Sequence, residues 1–133
     1  MYPVGSVVQL IPGEAMVKQP VGFNPATKDW EFFELDFSKD GSKIRKRGFA
    51  DVVNRFGGNC FACHIQAKPE FDLICEQDHG CQPIPVTRAM FGALQRTDPR
   101  CKDAPPPSAE DQESLKQLAK VIEGITAARD KKQ

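Results

Sequence analysis

The sequence predicts an α+β protein, a small antiparallel β-sheet followed by helices. Short strand-like runs separated by Gly and Pro fill roughly the first 56 positions. A Cys-x-x-Cys-His stretch then breaks that pattern. A Pro-rich segment finally leads into a long run with apolar residues at helical spacing.

Length and composition set the outer limits. The chain has 133 residues, enough for one domain with a modest core. Hydrophobic residues are 40% and charged residues 27%, and formal net charge is zero. A nucleic-acid or anionic-membrane binder would need excess Lys and Arg, so both classes are disfavoured. No apolar run approaches the length of a membrane span. Nine Phe stand against one Trp and one Tyr. Flat apolar rings suit a core around a flat ligand, and they suit any β-rich core as well. The opening MYPVG leads into a strand-like run rather than a basic and apolar leader.

The elements follow in order. SVVQLI, residues 6–11, and EAMVK, residues 14–18, read as two strands with Pro12-Gly13 between them. QPVGFNPATKD, residues 19–29, reads as a loop. WEFFELDF, residues 30–37, puts Trp30 and Phe32 on one strand face and Phe33, Leu35 and Phe37 on the other. Such a strand is buried on both sides or carries a bulge between Phe32 and Phe33. SKDG, residues 38–41, is a hairpin signal, and SKIRKRGF is the return strand.

At Gly57-Gly58 the character changes. CFACHIQA opens as a helix, and Pro69 to Cys75 reads as another, with Pro69 in its first turn. DHGCQPIP, residues 78–85, is irregular. Thr87 to Arg96 reads as a short helix with Met90, Phe91 and Leu94 on one side, ended by Asp98-Pro99. DAPPPS predicts an extended linker. Ser108 then caps the best helix, with Glu110 and Asp111 in its first turn and Lys131 and Lys132 at its end. Leu115, Leu118, Ile122 and Ile125 form its apolar stripe, which serves the chain's own core, a second copy in a homodimer, or a partner.

All five cysteines and both histidines lie between residues 60 and 101. Cys60, Cys63 and His64 form C-x-x-C-H. Two thiols on one turn can reach the two vinyl groups of a haem, and the next residue, His, can reach its iron. Zinc is the rival: Cys60 and Cys63 with Cys75 or His79 and Cys81 would supply four donors, although a second C-x-x-C is missing. A redox dithiol is weaker, because no βαβ pattern precedes the pair. If Cys60 and Cys63 hold a cofactor, short spacing favours a Cys75–Cys81 disulfide, with Cys81–Cys101 as the alternative.

Sheet first and C-x-x-C-H after it resembles the β-sheet c-type cytochromes of the cytochrome P-460 and cytochrome c-prime-beta family. YPVGSVV, Tyr2 to Val8, looks like that family's aromatic-Pro-x-Gly-Ser/Thr strand opening. EAMVK, DWEFFELD with a Gly turn at Gly41, and GGNCFACH, Gly57 to His64, follow in the family's order. The resemblance covers roughly residues 2–66. It implies a small antiparallel sheet cupping one covalently bound haem c, with His64 as proximal iron ligand and no strong protein ligand opposite. An iron open on one side binds a small gas or nitrogen compound such as nitric oxide or hydroxylamine, and an oxidoreductase acting on such compounds works with a redox partner protein. Covalent haem is attached outside the cytoplasm, so the reading implies a periplasmic or otherwise extracytoplasmic protein whose targeting segment has been removed.

The sequence also departs from that family. Members that oxidise hydroxylamine carry a Lys cross-linked to haem on an early strand, where Gln9 and Leu10 stand here; Lys18 is the nearest candidate. Members without the cross-link have Phe-lined distal pockets, which Trp30, Phe32 and Phe33 could line if they are not plain core. The segment from residue 67 onward has no family role. It offers His79 and Met90 as sixth ligands, which would make the protein an electron carrier, although Met90 on an apolar helix face reads better as core. Arg45, Lys46 and Arg47 could meet a haem propionate or form a solvated face. Glu14 and Glu31 are candidate proton relays. The expected organisation is a haem domain over 1–103 (sheet 1–56, haem motif 57–66, helical part 67–103), then linker and helix over 104–133.

Overall fold

A computed structural model describes residues 1–10 and 13–131, with Arg129 by its backbone alone. It is α+β, with a four-stranded antiparallel sheet and a C-terminal helix. The chain forms two compact units, Met1–Asp36 with Ile44–Pro83, and Phe37–Lys43 with Ile84–Gln133. The expected boundary after residue 103 falls inside the second of these.

The strands are β1 (Val7–Leu10), β2 (Glu14–Lys18), β3 (Trp30–Ser38) and β4 (Gly41–Gly48), in that spatial order. The expected end of the first strand at Ile11 and the turn at Pro12 lie outside the described residues, as does Lys132. β2 pairs with β3 without interruption, Met16 opposite Phe32 and Ala15 opposite Phe33. No bulge shifts the phase, and Trp30 to Glu34 are all buried, so β3 is covered on both faces. Gly41, at φ 114°, supplies the positive φ that the hairpin turn needs.

In the first unit one sheet face carries Met16, Trp30 and Phe32, which form the core with Val52, Leu73 and Ile74. Cys60 and Phe61 pack against this cluster. Trp30 Nε1 donates to the Asp72 carbonyl at 2.8 Å, and Lys18 Nζ meets the Asp72 carboxylate at 2.8 Å. These contacts explain a correction. The helix expected from Pro69 to Cys75 is only a 3-10 turn, Pro69–Phe71. Asp72 and Leu73 then adopt φ of 50° and 65°. The left-handed pair turns Asp72 toward Lys18 and Trp30, and those buried bonds override local helix preference.

In the second unit, α2 (Arg88–Arg96) is capped by Thr87, whose Oγ1 accepts from the Met90 N–H at 3.2 Å. α3 (Ala109–Lys131) begins after Ser108, whose Oγ accepts from the Asp111 N–H at 3.1 Å. Arg96 Nη2 and Asp111 join the two helices at 2.7 Å. Leu118 of the apolar stripe is buried, while Leu115, Ile122 and Ile125 are half-buried. Among the described residues no helix is long and apolar enough to cross a membrane.

Candidate functional site

Cys60, Cys63 and His64 lie together on α1 (Cys60–His64), one turn and a half of helix. Asn59 caps it: Oδ1 accepts from the Ala62 N–H at 2.9 Å, and Nδ2 donates to the Ala50 carbonyl at 2.8 Å. The Cys60 N–H donates to the Val52 carbonyl at 3.1 Å, tying the turn to the core. Residues three apart on a helix are neighbours, so the two cysteines share a face. Both are free thiols, Cys60 half-buried and Cys63 exposed. Burial, reinforced by the carboxylates of Glu14 and Glu34, pushes the Cys60 thiol up to about 11.

His64 Nδ1 lies 2.7 Å from the Leu73 carbonyl oxygen. A carbonyl only accepts, so Nδ1 carries the proton and Nε2 keeps its lone pair. Burial lowers the His64 pKa and favours the neutral ring, with the Leu73 bond opposing in part. A neutral imidazole tied through Nδ1–H to a backbone carbonyl is the arrangement metal-ligating histidines adopt. Its surroundings are apolar: the Phe32 ring centre is 5.5 Å from that of His64, and Phe61 is 6.5 Å from Phe32.

His79 is held in a similar way. Its Nδ1 lies 2.7 Å from the Ile74 carbonyl, and its ring stacks on Phe71 at 3.6 Å. The two histidines therefore bond to carbonyls of successive residues. Two imidazoles sharing one metal ion through Nε2 would turn their Nδ1 atoms away from each other, whereas these Nδ1 atoms bond to carbonyls of adjacent residues, so sharing one ion would require one of the two bonds to open.

The other candidates disperse. Lys18 is held in the buried ion pair with Asp72, 5.1 Å from the centre of the Trp30 ring. Trp30 and Phe32 share the core face, but Phe33 is on the opposite one, under the Arg47 guanidinium at 4.8 Å. Arg47 also grips Glu31, at 2.7 and 2.9 Å. Met90 is in the second unit, where its Sδ accepts from the Thr87 N–H at 3.5 Å. Cys75 and Cys81 form a disulfide, with Cys75 Sγ 3.8 Å from the Cys63 carbonyl oxygen. That bond removes two thiolates from the conceivable zinc set. Among the described residues no group of three or more His, Cys, Asp or Glu could hold a metal ion. Cys101 is a free, exposed thiol in the second unit.

Sequence reasoning missed Leu73, Asn59 and Glu34. Asn59 was detectable as an N-cap immediately before a helical turn. Nothing local marks Leu73, because its contribution is a backbone carbonyl placed by a tertiary turn. No protein-family model, curated protein or solved structure matches the chain.

Proposed function

We propose that this protein is a mono-haem c-type cytochrome of the cytochrome P-460 and cytochrome c-prime-beta kind. Cys60 and Cys63 carry haem c through thioether bonds, and His64 is the proximal iron ligand. The observation that carries the reading is the 2.7 Å bond from His64 Nδ1–H to the Leu73 carbonyl, which leaves Nε2 as the ring's free donor atom directly after Cys63. The residues fit the group: two free thiols on one helical turn, a neutral imidazole and adjoining Phe rings.

Haem, once bound, supplies a redox-active iron able to take a small gas or nitrogen compound. This chain's part is to anchor the group at two points, aim one imidazole, and keep that side apolar with Phe32 and Phe61. An open opposite face is supported by the pinning of His79 to Ile74. The disulfide supports an oxidising, extracytoplasmic location. An electron-carrier reading takes its sixth protein ligand from Met90, or from His79 once its carbonyl bond opens.

The test is the absorption spectrum of the dithionite-reduced protein with and without carbon monoxide. A haem band that carbon monoxide shifts is the expected result. A narrow low-spin band indifferent to carbon monoxide would replace the open site by an electron carrier. A colourless protein from a host competent in haem attachment would end the cytochrome reading.

A further inference from the structure

Glu14 and Glu34 stand directly opposite one another across β2 and β3. In this antiparallel register their Cβ atoms are about 5 Å apart, and like charges so placed repel. By strand alternation they share the face of Met16 and Phe32, against which Cys60 packs. Glu34 is 1% exposed. Its Oε1 takes Arg55 Nε at 2.7 Å, the Arg55 N–H at 3.2 Å, and Arg45 Nη1 as an ion pair at 3.6 Å. Its Oε2 is buried and, among the described residues, has no hydrogen-bond partner. A buried carboxylate oxygen without a donor is costly, and the residue opposite can supply one only if it keeps its proton.

We propose that Glu14 and Glu34 hold one proton between them, Glu14 as the carboxylic acid and Glu34 Oε2 as its acceptor, forming a proton store beside Cys60. Arg55 and Arg45 converge on Glu34 Oε1, so Glu14 is the member that carries the exchangeable proton. The other groups facing the pair are Asn54, the Cys60 thiol and, across Arg55 at 3.5 Å, Asp36. Burial and the Glu34 charge raise the Glu14 pKa, and Arg55 and Asn54 oppose them. Releasing the proton would place a second negative charge, on half-buried Glu14, directly opposite buried Glu34. Retention is therefore sensitive to charge: an added negative charge tightens the proton and an added positive charge loosens it. The pair is independent of the haem reading; a role in exchanging protons with a ligand at the site rests on that reading.

The test uses the protein as isolated, with whatever cofactor it carries. Infrared spectra are recorded across pH on wild type, Glu14→Gln and the exposed control Glu110→Gln. The expected result is a protonated-carboxyl carbonyl band that titrates at higher pH than that of an ordinary glutamate, whose pKa is about 4.3. The band is lost in Glu14→Gln, whose amide still offers Oε2 an N–H donor, and kept in Glu110→Gln. Should Glu14→Gln not fold, a wild-type titration with ¹³C-labelled glutamate decides. One side-chain carbon titrating above the ordinary range supports the pair, and none doing so overturns it. A colourless protein with the band refutes the haem reading and leaves the pair, while a red protein without the band does the reverse.

Discussion

His64 takes its orientation from Leu73, a residue held in left-handed backbone. The Nδ1–carbonyl distance is 2.7 Å, and Leu73 and its neighbour Asp72 have φ of 65° and 50°. Conformations of this kind cost of order 1–3 kcal/mol at each non-Gly residue and persist where the surroundings enforce them. Here the enforcement comes from the Lys18 and Trp30 bonds to Asp72 and from burial of the Leu73 side chain.

On the cytochrome reading, His64→Gly should keep haem bound through Cys60 and Cys63 but lose its proximal ligand. The reduced spectrum is expected to change, and added imidazole should restore it. A spectrum identical to wild type before imidazole is added would show that His64 does not ligate.

Breaking the Lys18–Asp72 pair should be expensive. Both side chains are nearly sealed, at 5% and 2% exposure. Asp72→Asn leaves the ammonium buried without its counter-charge, a loss of about 3–5 kcal/mol. The apolar double variant Lys18→Met with Asp72→Leu should lose less. Denaturant midpoints read through Trp30 fluorescence give the comparison. Equal losses in the two would mean that shape rather than charge holds this corner.

Acid should unfold the protein in two stages. Burial alone would raise the Asp72 carboxyl, but the bonds from Lys18 and the Tyr2 N–H outweigh it, and Asp72 lies below its ordinary value. Arg100 lowers Asp98 and Arg96 lowers Asp111 in the same direction. A depressed carboxylate contributes its full stability above the unfolded value, about 3.9, and loses it as pH falls through the folded value. In protein made without haem, where no iron holds its Nε2, His64, lowered by burial, charges less readily when folded, so its loss begins below pH about 6.5. Glu14 runs the opposite way: its pKa is raised, and its contribution fades as pH rises above about 4.3. Urea midpoints of the haem-free protein should therefore fall gently below pH about 6.5 and steeply below about 4. Asp72→Asn should flatten the steep limb, and an unchanged limb would remove Asp72 from the account.

The two thiols of the attachment turn should react unequally in protein made without haem. Cys60 is half-buried and raised from 9.0 to about 11, whereas Cys63 is exposed. Two pH units of thiolate population predict Cys60 alkylation about 100-fold slower than that of an ordinary thiol. Iodoacetamide labelling followed by peptide mass mapping should find Cys63 and Cys101 modified first. Cys60 modified as fast as Cys63 would mean that the turn opens freely.

Replacing Cys75 and Cys81 by Ser should cost about 2 kcal/mol, because the disulfide spans six positions and closes a short loop. The loop it closes contains His79, whose Nδ1 is held by Ile74. The double variant should therefore let His79 reach more widely. A low-spin spectrum gained in that variant would identify His79 as the ligand that the loop withholds.

Much of the architecture was legible in short-range pattern. The aromatic run from Trp30 and the turn at Gly41 marked β3 and β4, and β2 formed over the expected residues. Thr87 and Ser108 marked two helix starts through hydroxyls that accept backbone N–H bonds. C-x-x-C-H placed two thiols and an imidazole on one turn, because residues one to four apart have little freedom in a helix. The failures were at long range. The segment after Pro69 carries helix-compatible residues, yet buried bonds from Lys18 and Trp30, 54 and 42 positions away from Asp72, turned it left-handed. Whether Phe33 shares a face with Phe32 was open in the sequence, between a bulge and burial on both faces, and the unbroken β2–β3 pairing decided it. That Lys18 meets Asp72, that Leu73 aims His64, and that buried Glu34 is gripped through Oε1 by Arg55 were decided only by tertiary structure. Local pattern sets which residues lie side by side along the chain; burial sets which distant polar groups must find each other.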